Sequence, residues 1–273
     1  VFIVIKLFDV IFFLIGMQSE AFHPVMWLAV PADISALIFK PWTIFSYMFL
    51  HQQFLHILFN MLWLFWFGKI FLEYLSQKQL LTVYILGGLA GAVLYIAAFN
   101  IIPLFSNSVS ASIALGASAS VLAIVIAISV YVPNYTIYLI FLGPVKLKYI
   151  ALVSVILDIL SIAGQNAGGH IAHLGGALLG YIYISRYRKG KDFSENFIGF
   201  FNKIGNFFKP KPKMKVSYKK KSATASDDIE YNREKKIKQE EIDRILDKIS
   251  KSGYQSLTTR EKEILFKESA NKN

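Results

Sequence analysis

The chain has no cysteine, so disulfide frameworks and thiolate metal sites are excluded and the redox compartment is left open. It contains no His-Glu-x-x-His, which removes the common zinc-peptidase helix. Charge is scarce over residues 1–185, where Lys6, Lys40, Lys69, Lys78, Lys146 and Lys148 face Asp9, Glu20, Asp33, Glu73 and Asp158. Within that stretch the loops 101–113 and 165–171 hold no lysine or arginine. No small-residue cleavage pattern follows the apolar stretch Val1–Gly16, so it reads as an incomplete first span rather than a cleaved signal.

What is present is apolar. Of 273 residues, 55% are hydrophobic and the mean hydropathy is +0.46, too high for a soluble domain of ordinary composition. The net charge of +11 would by itself fit a nucleic-acid binder. Its distribution does not: residues 1–185 carry six basic against five acidic side chains, and the remainder 23 against 13. A nearly neutral apolar body with a basic tail reads as a membrane domain with a cytoplasmic extension, with the lipid bilayer as partner and no nucleic acid.

At about 20 residues per crossing, apolar segments fall near 1–16, 54–74, 80–100, 114–132, 149–164 and 172–186. The predicted fold class is therefore all-α, a polytopic bundle of six transmembrane helices with a small soluble helical extension. Lys78, Lys146, Lys148, Arg186, Arg188, Lys189 and Lys191 lie on one face, which the positive-inside rule makes cytoplasmic, and both termini share it. Met17–Phe54, with Trp27, Trp42, Pro31 and Pro41, reads as an element lying in the interface. Residues 189–225, with Lys209-Pro-Lys-Pro-Lys-Met-Lys, read as a basic linker, and 226–273 as a cytoplasmic helical hairpin. In the hairpin Gly253 ends one helix, and Thr258 with Glu261 makes a capping box for the next.

Polar side chains within the spans are the functional candidates. His51, His56 and Asn60 enter the second apolar segment, the last two four apart on one helix face. Capping of backbone carbonyls is the alternative role for the histidines. Ser118 follows Gly116 near the outer end of the fourth segment, where small residues permit either close helix packing or a nucleophile with room for an approaching carbonyl. His173 precedes Gly176 and Gly180, a small-xxx-small face that presents it to a neighbouring helix. Ser118 is expected about five residues into its span and His173 about two, both within roughly 8 Å of the outer end. At that depth a serine and a histidine can share the hydrogen bond that activates a hydroxyl. Asp158 has no spacing that marks it as a third member, and it is expected as an unpaired intramembrane carboxylate.

Taken together, Pro41-Trp42-Thr43, Phe49-Leu50-His51, His56-x-x-x-Asn60, Glu73, Gly116-x-Ser118 and His173-x-x-Gly176-x-x-x-Gly180 resemble the rhomboid family of intramembrane serine proteases, bacterial type, across roughly residues 1–188. The resemblance implies Ser118 as nucleophile and His173 as general base. It implies that His56 and Asn60 join backbone N–H groups in the oxyanion hole, with His51, Gly116 and Gly176 in support. His170 is the lesser candidate for the base. No cofactor and no metal is implied; the partners are transmembrane protein substrates, and the location is a bacterial inner membrane. Two positions depart from the pattern: Ala119 stands where the family usually has glycine, and Leu122 where it often has an aromatic stacked on the histidine. The terminal hairpin resembles a small uncharacterised domain appended to some bacterial rhomboids. The expected activity is cleavage of transmembrane segments by a Ser-His dyad; the alternative is a rhomboid-like pseudoprotease that binds membrane helices without cutting them. A transporter or channel would show paired central charges or broken helices in inverted repeats, and neither is evident.

Overall fold

The computed structural model describes residues 1–16, 23–139, 143–208 and 225–270. Two compact units divide it, Val1–Lys209 and Pro210–Asn273.

The first unit opens with α1, Phe2–Leu14, of which only Ile5 is buried. Most of its other apolar side chains are exposed, as on a helix bathed in lipid. Short pieces follow: α2 (Pro24–Leu28), β1 (Val30–Pro31), α3 (Ile34–Phe39) and α4 (Thr43–Ser46). His23 and Asp33 cap α2 and α3 through their side chains, so these helices start where a local acceptor satisfies the first free N–H groups. Trp42 Nε1 donates to the Trp27 carbonyl at 2.8 Å, and the Lys40 ammonium lies 4.8 Å from the centre of the Trp27 ring. Both indoles remain about half exposed, which suits the boundary between lipid and water. Residues 17–22 of the expected interfacial element lie outside the described residues.

The bundle proper comprises α5 (Phe54–Tyr74), α6 (Gln77–Ile101), β2 (Ile113–Ala114), α7 (Ser118–Tyr131), the hairpin β3 (Thr136–Leu139) and β4 (Gly143–Lys146), α8 (Leu147–Ser161) and α9 (Ala167–Tyr187). Among the described residues, α1 and α5–α9 occupy the six apolar segments read from the sequence. Helices α5 and α6 are, among the described residues, long and apolar enough to cross a membrane. At 14 residues α7 is shorter, roughly 21 Å against the ~30 Å of a bilayer core. Ala119–Ser129 is nonetheless continuously buried. This helix is surrounded by protein along that length.

The helix starts differ from the sequence reading. The fourth helix begins at Ser118, not near 114, because Ile113–Ala114 pairs antiparallel with Val30–Pro31 and Gly116 adopts φ +127°, a conformation L side chains rarely adopt. Ser118 is therefore the first residue of its helix. Helix α9 starts at Ala167, five residues earlier than expected, where the Asn166 side chain accepts from Gly169 N–H at 3.3 Å. His173 thus sits nearly two turns in. Helix α8 runs Leu147–Ser161 instead of 149–164.

Helices α6, α7 and α9 pack through their small residues. A methyl added at Gly91 of α6 would lie 2.7 Å from Ala119 Cβ, and one at Gly175 of α9 would lie 2.6 Å from the Ala90 carbonyl. At Gly176 and Gly180 it would run into the carbonyls of Ala119 and Ala123. Close backbone approach of this kind holds helices together in lipid, where apolar side chains gain little from leaving their surroundings. Ala119, at the position where a glycine was expected, turns its methyl towards Gly91 and is buried.

Past the bundle, Ser194–Phe208 forms α10 and belongs to the first unit, so the linker expected over 189–225 contains a helix. Its phenylalanines and isoleucines recur at helical spacing with polar residues between, a pattern the lysine-rich stretch after it had overshadowed. Residues 209–224, which hold that stretch, lie outside the described residues. The second unit pairs α11 (Ala225–Ser252) with α12 (Thr259–Ala270). Gly253, at φ +76°, turns the chain between them. The capping box forms: Thr258 N–H donates to Glu261 Oε2 at 2.7 Å and Glu261 N–H to Thr258 Oγ1 at 3.4 Å. Lys248 donates to both oxygens of the Glu261 carboxylate, tying the two helices together.

Candidate active site

Close packing of α9 on α7 fixes what faces what. His173 reaches across that interface and its Nε2 lies 2.6 Å from Ser118 Oγ. The serine is the first residue of its helix, where the leading N–H groups have no partner within the helix. Gly116 allows the approach from the α5 side: a Cβ there would lie 2.8 Å from the His56 imidazole. His56, Ser118 and His173 line one cavity of about 470 Å³, together with Gln52, Gln53 and Asn166. Asn60, Ser118, Leu122 and His173 line a second of about 160 Å³, together with Phe59, Trp63 and Val121. The first is rich in polar groups and the second mostly apolar. Ser118 and His173 stand where the two meet.

The remaining predicted site residues lie around this point. Asn60 is buried and its amide donates to the His56 carbonyl one turn back, at 2.8 Å. His51 is buried before the start of α5, and its Nε2 accepts the Ala117 N–H at 3.4 Å. Burial, reinforced by the neighbouring His56, pushes the His51 imidazole down to about 4, so at neutral pH it is uncharged and able to accept. The two rings meet edge to face at 5.1 Å. Gly116 N–H donates to the Tyr47 carbonyl at 3.0 Å, and the Tyr47 hydroxyl to the Gly88 carbonyl at 2.6 Å, so the turn before Ser118 is anchored to α6. Gly176 acts through backbone contact with Ala119 rather than at the cavity. Leu122, one turn after Ser118, faces the smaller cavity.

The residue the sequence reading missed is Asp158. It is not unpaired: its Oδ1 lies 2.8 Å from His173 Nδ1 and 2.8 Å from His170 Nδ1. The signal was available in the helical hairpin. A five-residue connection, 162–166, joins α8 to α9, so side chains six positions either side of its midpoint, Asp158 and His170, meet at one level, and His173 follows a turn later on the same face. An ionised aspartate in a membrane helix costs roughly 2.5–3.5 kcal/mol to insert, and two hydrogen bonds to a charged acceptor, about 1.5–3 kcal/mol each, offset that cost. The same three residues place two imidazole nitrogens and a carboxylate oxygen within 4.8 Å of one another, a ligand set that suits a divalent ion as well as a hydrogen-bonded cluster.

Comparison with known proteins gives this arrangement a family. The Rhomboid domain profile matches residues 39–189, and a family of unknown function (DUF6576) matches residues 226–271. RHOMBOID-like protein 12, mitochondrial, of Arabidopsis thaliana is 32% identical over 158 residues, 55% of this chain and 47% of that protein. Rhomboid protease GlpG from two strains of Klebsiella pneumoniae is 38% identical over 68 residues, 24% of either chain. The chain thus spans less than half the length of the curated relatives it matches. With more than half of its residues covered by the domain profile, this integral membrane protein belongs to the rhomboid family.

Proposed function

We propose that this chain is an intramembrane serine endopeptidase that cleaves transmembrane segments of other membrane proteins. One observation carries the reading: the 2.6 Å contact between Ser118 Oγ and His173 Nε2, at the junction of a polar and an apolar cavity. In this reading His173 Nε2 takes the hydroxyl proton as Ser118 Oγ attacks the scissile carbonyl. The oxyanion that forms is met by the free N–H groups at the start of α7 and by donors from His56 and Asn60. His173 then passes its proton to the leaving amine, and water from the larger, polar cavity hydrolyses the acyl-enzyme with His173 again as base. No cofactor takes part. The smaller cavity, walled by Phe59, Trp63 and Leu122, receives one apolar substrate side chain. Substrate arrives laterally past α8, and because a helical peptide bond is shielded by its own hydrogen bonds, segments that unwind readily are preferred.

The same reading puts the protein in a bacterial inner membrane with both termini cytoplasmic, following the loop charges. Its domains are a membrane body over 1–188 continued by α10, a lysine-rich connection after that helix and a cytoplasmic helical hairpin over 226–273. The test is incubation of the purified protein in liposomes with a transmembrane reporter, comparing wild type with Ser118→Ala and His173→Ala. Cleavage by wild type and loss in both variants is the expected result. Undiminished product in both variants overturns the assignment, and a wild type that binds the reporter without cutting it favours a pseudoprotease.

A further inference from the structure

The contact with Ser118 uses one nitrogen of the His173 imidazole, and the other nitrogen is engaged as well. Asp158 Oδ1 lies 2.8 Å from it and 2.8 Å from His170 Nδ1, so one carboxylate oxygen gathers two rings. A carboxylate only accepts, and each oxygen offers two lone pairs, so both rings must donate from Nδ1. For His173 this is the tautomer that leaves the Nε2 lone pair facing the Ser118 hydroxyl. The Asp158 side chain is 10% exposed, which leaves water little access to compete for it.

Leucine at 122 offers no aromatic face from α7, and among the described residues the His173 ring meets that of His170, edge to face at 5.8 Å and 83°. His170 in turn is fixed by Asp158. Helix α8 thereby aims the imidazole through a single carboxylate.

We propose that Asp158 is a positioning residue that turns the Ser118–His173 pair into a Ser-His-Asp chain, with His170 as the second donor that fixes the carboxylate. This rests on the reading of Ser118 as nucleophile and His173 as base. As the bond from Ser118 Oγ to the substrate carbonyl carbon forms, the O–H bond breaks and its proton moves to His173 Nε2. The resulting imidazolium keeps its Nδ1 proton and faces the negative Asp158, which takes up no proton itself. The proton on Nε2 leaves with the substrate amine.

The experiment uses the full chain in detergent with isotope-labelled histidine. The tautomer of His173 is read by nitrogen NMR at neutral pH, alongside kcat and KM on a transmembrane reporter. Wild type is expected to carry its proton on Nδ1. In Asp158→Asn the proton moves to Nε2 and kcat falls on the order of 10²–10⁴-fold with KM nearly unchanged, whereas Asp158→Glu recovers part of the loss. His170→Ala is expected to cost less than about tenfold, because His173 keeps its own bond to the carboxylate. A wild-type His173 protonated on Nε2, or an Asp158→Asn protein with the original tautomer and kcat, overturns the inference. The wild-type tautomer decides even if the variant fails to fold. It also decides if nothing is cleaved, in which case the protease reading fails separately.

Discussion

Two pairs of histidines flank Ser118, and they are built differently. On the α5 side His51 and His56 meet edge to face, with Asn60 as the nearby amide and no acidic partner among their hydrogen bonds. On the α8–α9 side His170 and His173 meet the same way but share Asp158. Under the proposed reading the difference matches the charge each side would handle. A group that receives a proton becomes cationic and is helped by a fixed negative charge. Groups that donate to an oxyanion must not carry one beside them, since a carboxylate there would repel the charge that develops. In that reading the acid stands on the side that accepts the proton, and on the opposite side His56 and Asn60 would donate to the oxyanion.

Replacing His173 with glutamine attacks the accepting side directly, and the largest effect is expected there: kcat on a transmembrane reporter falls by about 10³-fold or more. On the donating side His56→Ala and Asn60→Ala should each lower kcat by about 10²–10³-fold while KM moves little, the signature of a contact made in the transition state. His51→Phe removes the acceptor of the Ala117 N–H and should cost about 1–3 kcal/mol of stability, read as a lower thermal midpoint in detergent. His51 also gives a pH signature. Its folded-state pKa is depressed from 6.5 to about 4, so its contribution is complete above 6.5 and is lost as pH falls towards 4. The midpoint of wild type should drop across that window more than that of His51→Phe. Smallest of all for cleavage is Glu261→Gln, expected to leave it unchanged. Lys248, with the Thr258 N–H and hydroxyl, holds the Glu261 carboxyl down at about 2, against an ordinary 4.5. Protection of the α12 amides in the full chain, taken relative to the intrinsic exchange rate at each pH, should be complete above pH 4.5 and fall as pH falls towards 2. The glutamine variant should show lower protection than wild type above 4.5 and converge with it towards pH 2.

The six apolar segments were legible because hydropathy and helix length follow directly from composition along the chain. Ser118, His173 and the glycines at 176 and 180 were legible because intramembrane polar and small residues are few. Most of what escaped depends on contacts distant in sequence. The start of α7 was placed too early because the pairing of Ile113–Ala114 with Val30–Pro31 spans some eighty residues. Helix α10 was hidden by the lysine-rich stretch that follows it. Asp158 was missed because its distance from His173 along the chain, 15 residues, matches no helical repeat. The relation appears only when α8 and α9 are folded against each other about their short connection. The role of Ala119 was likewise invisible until Gly91 of the neighbouring helix was in place beside it.

Labelling with a fluorophosphonate tests the central claim most directly, because the probe reacts only with a serine made nucleophilic by its surroundings. Mass spectrometry of the labelled wild type should find the adduct on Ser118, and the His173→Ala protein should take up at least about 10²-fold less in the same time. An adduct on another residue, or equal labelling of Ser118 with His173 removed, would contradict the account.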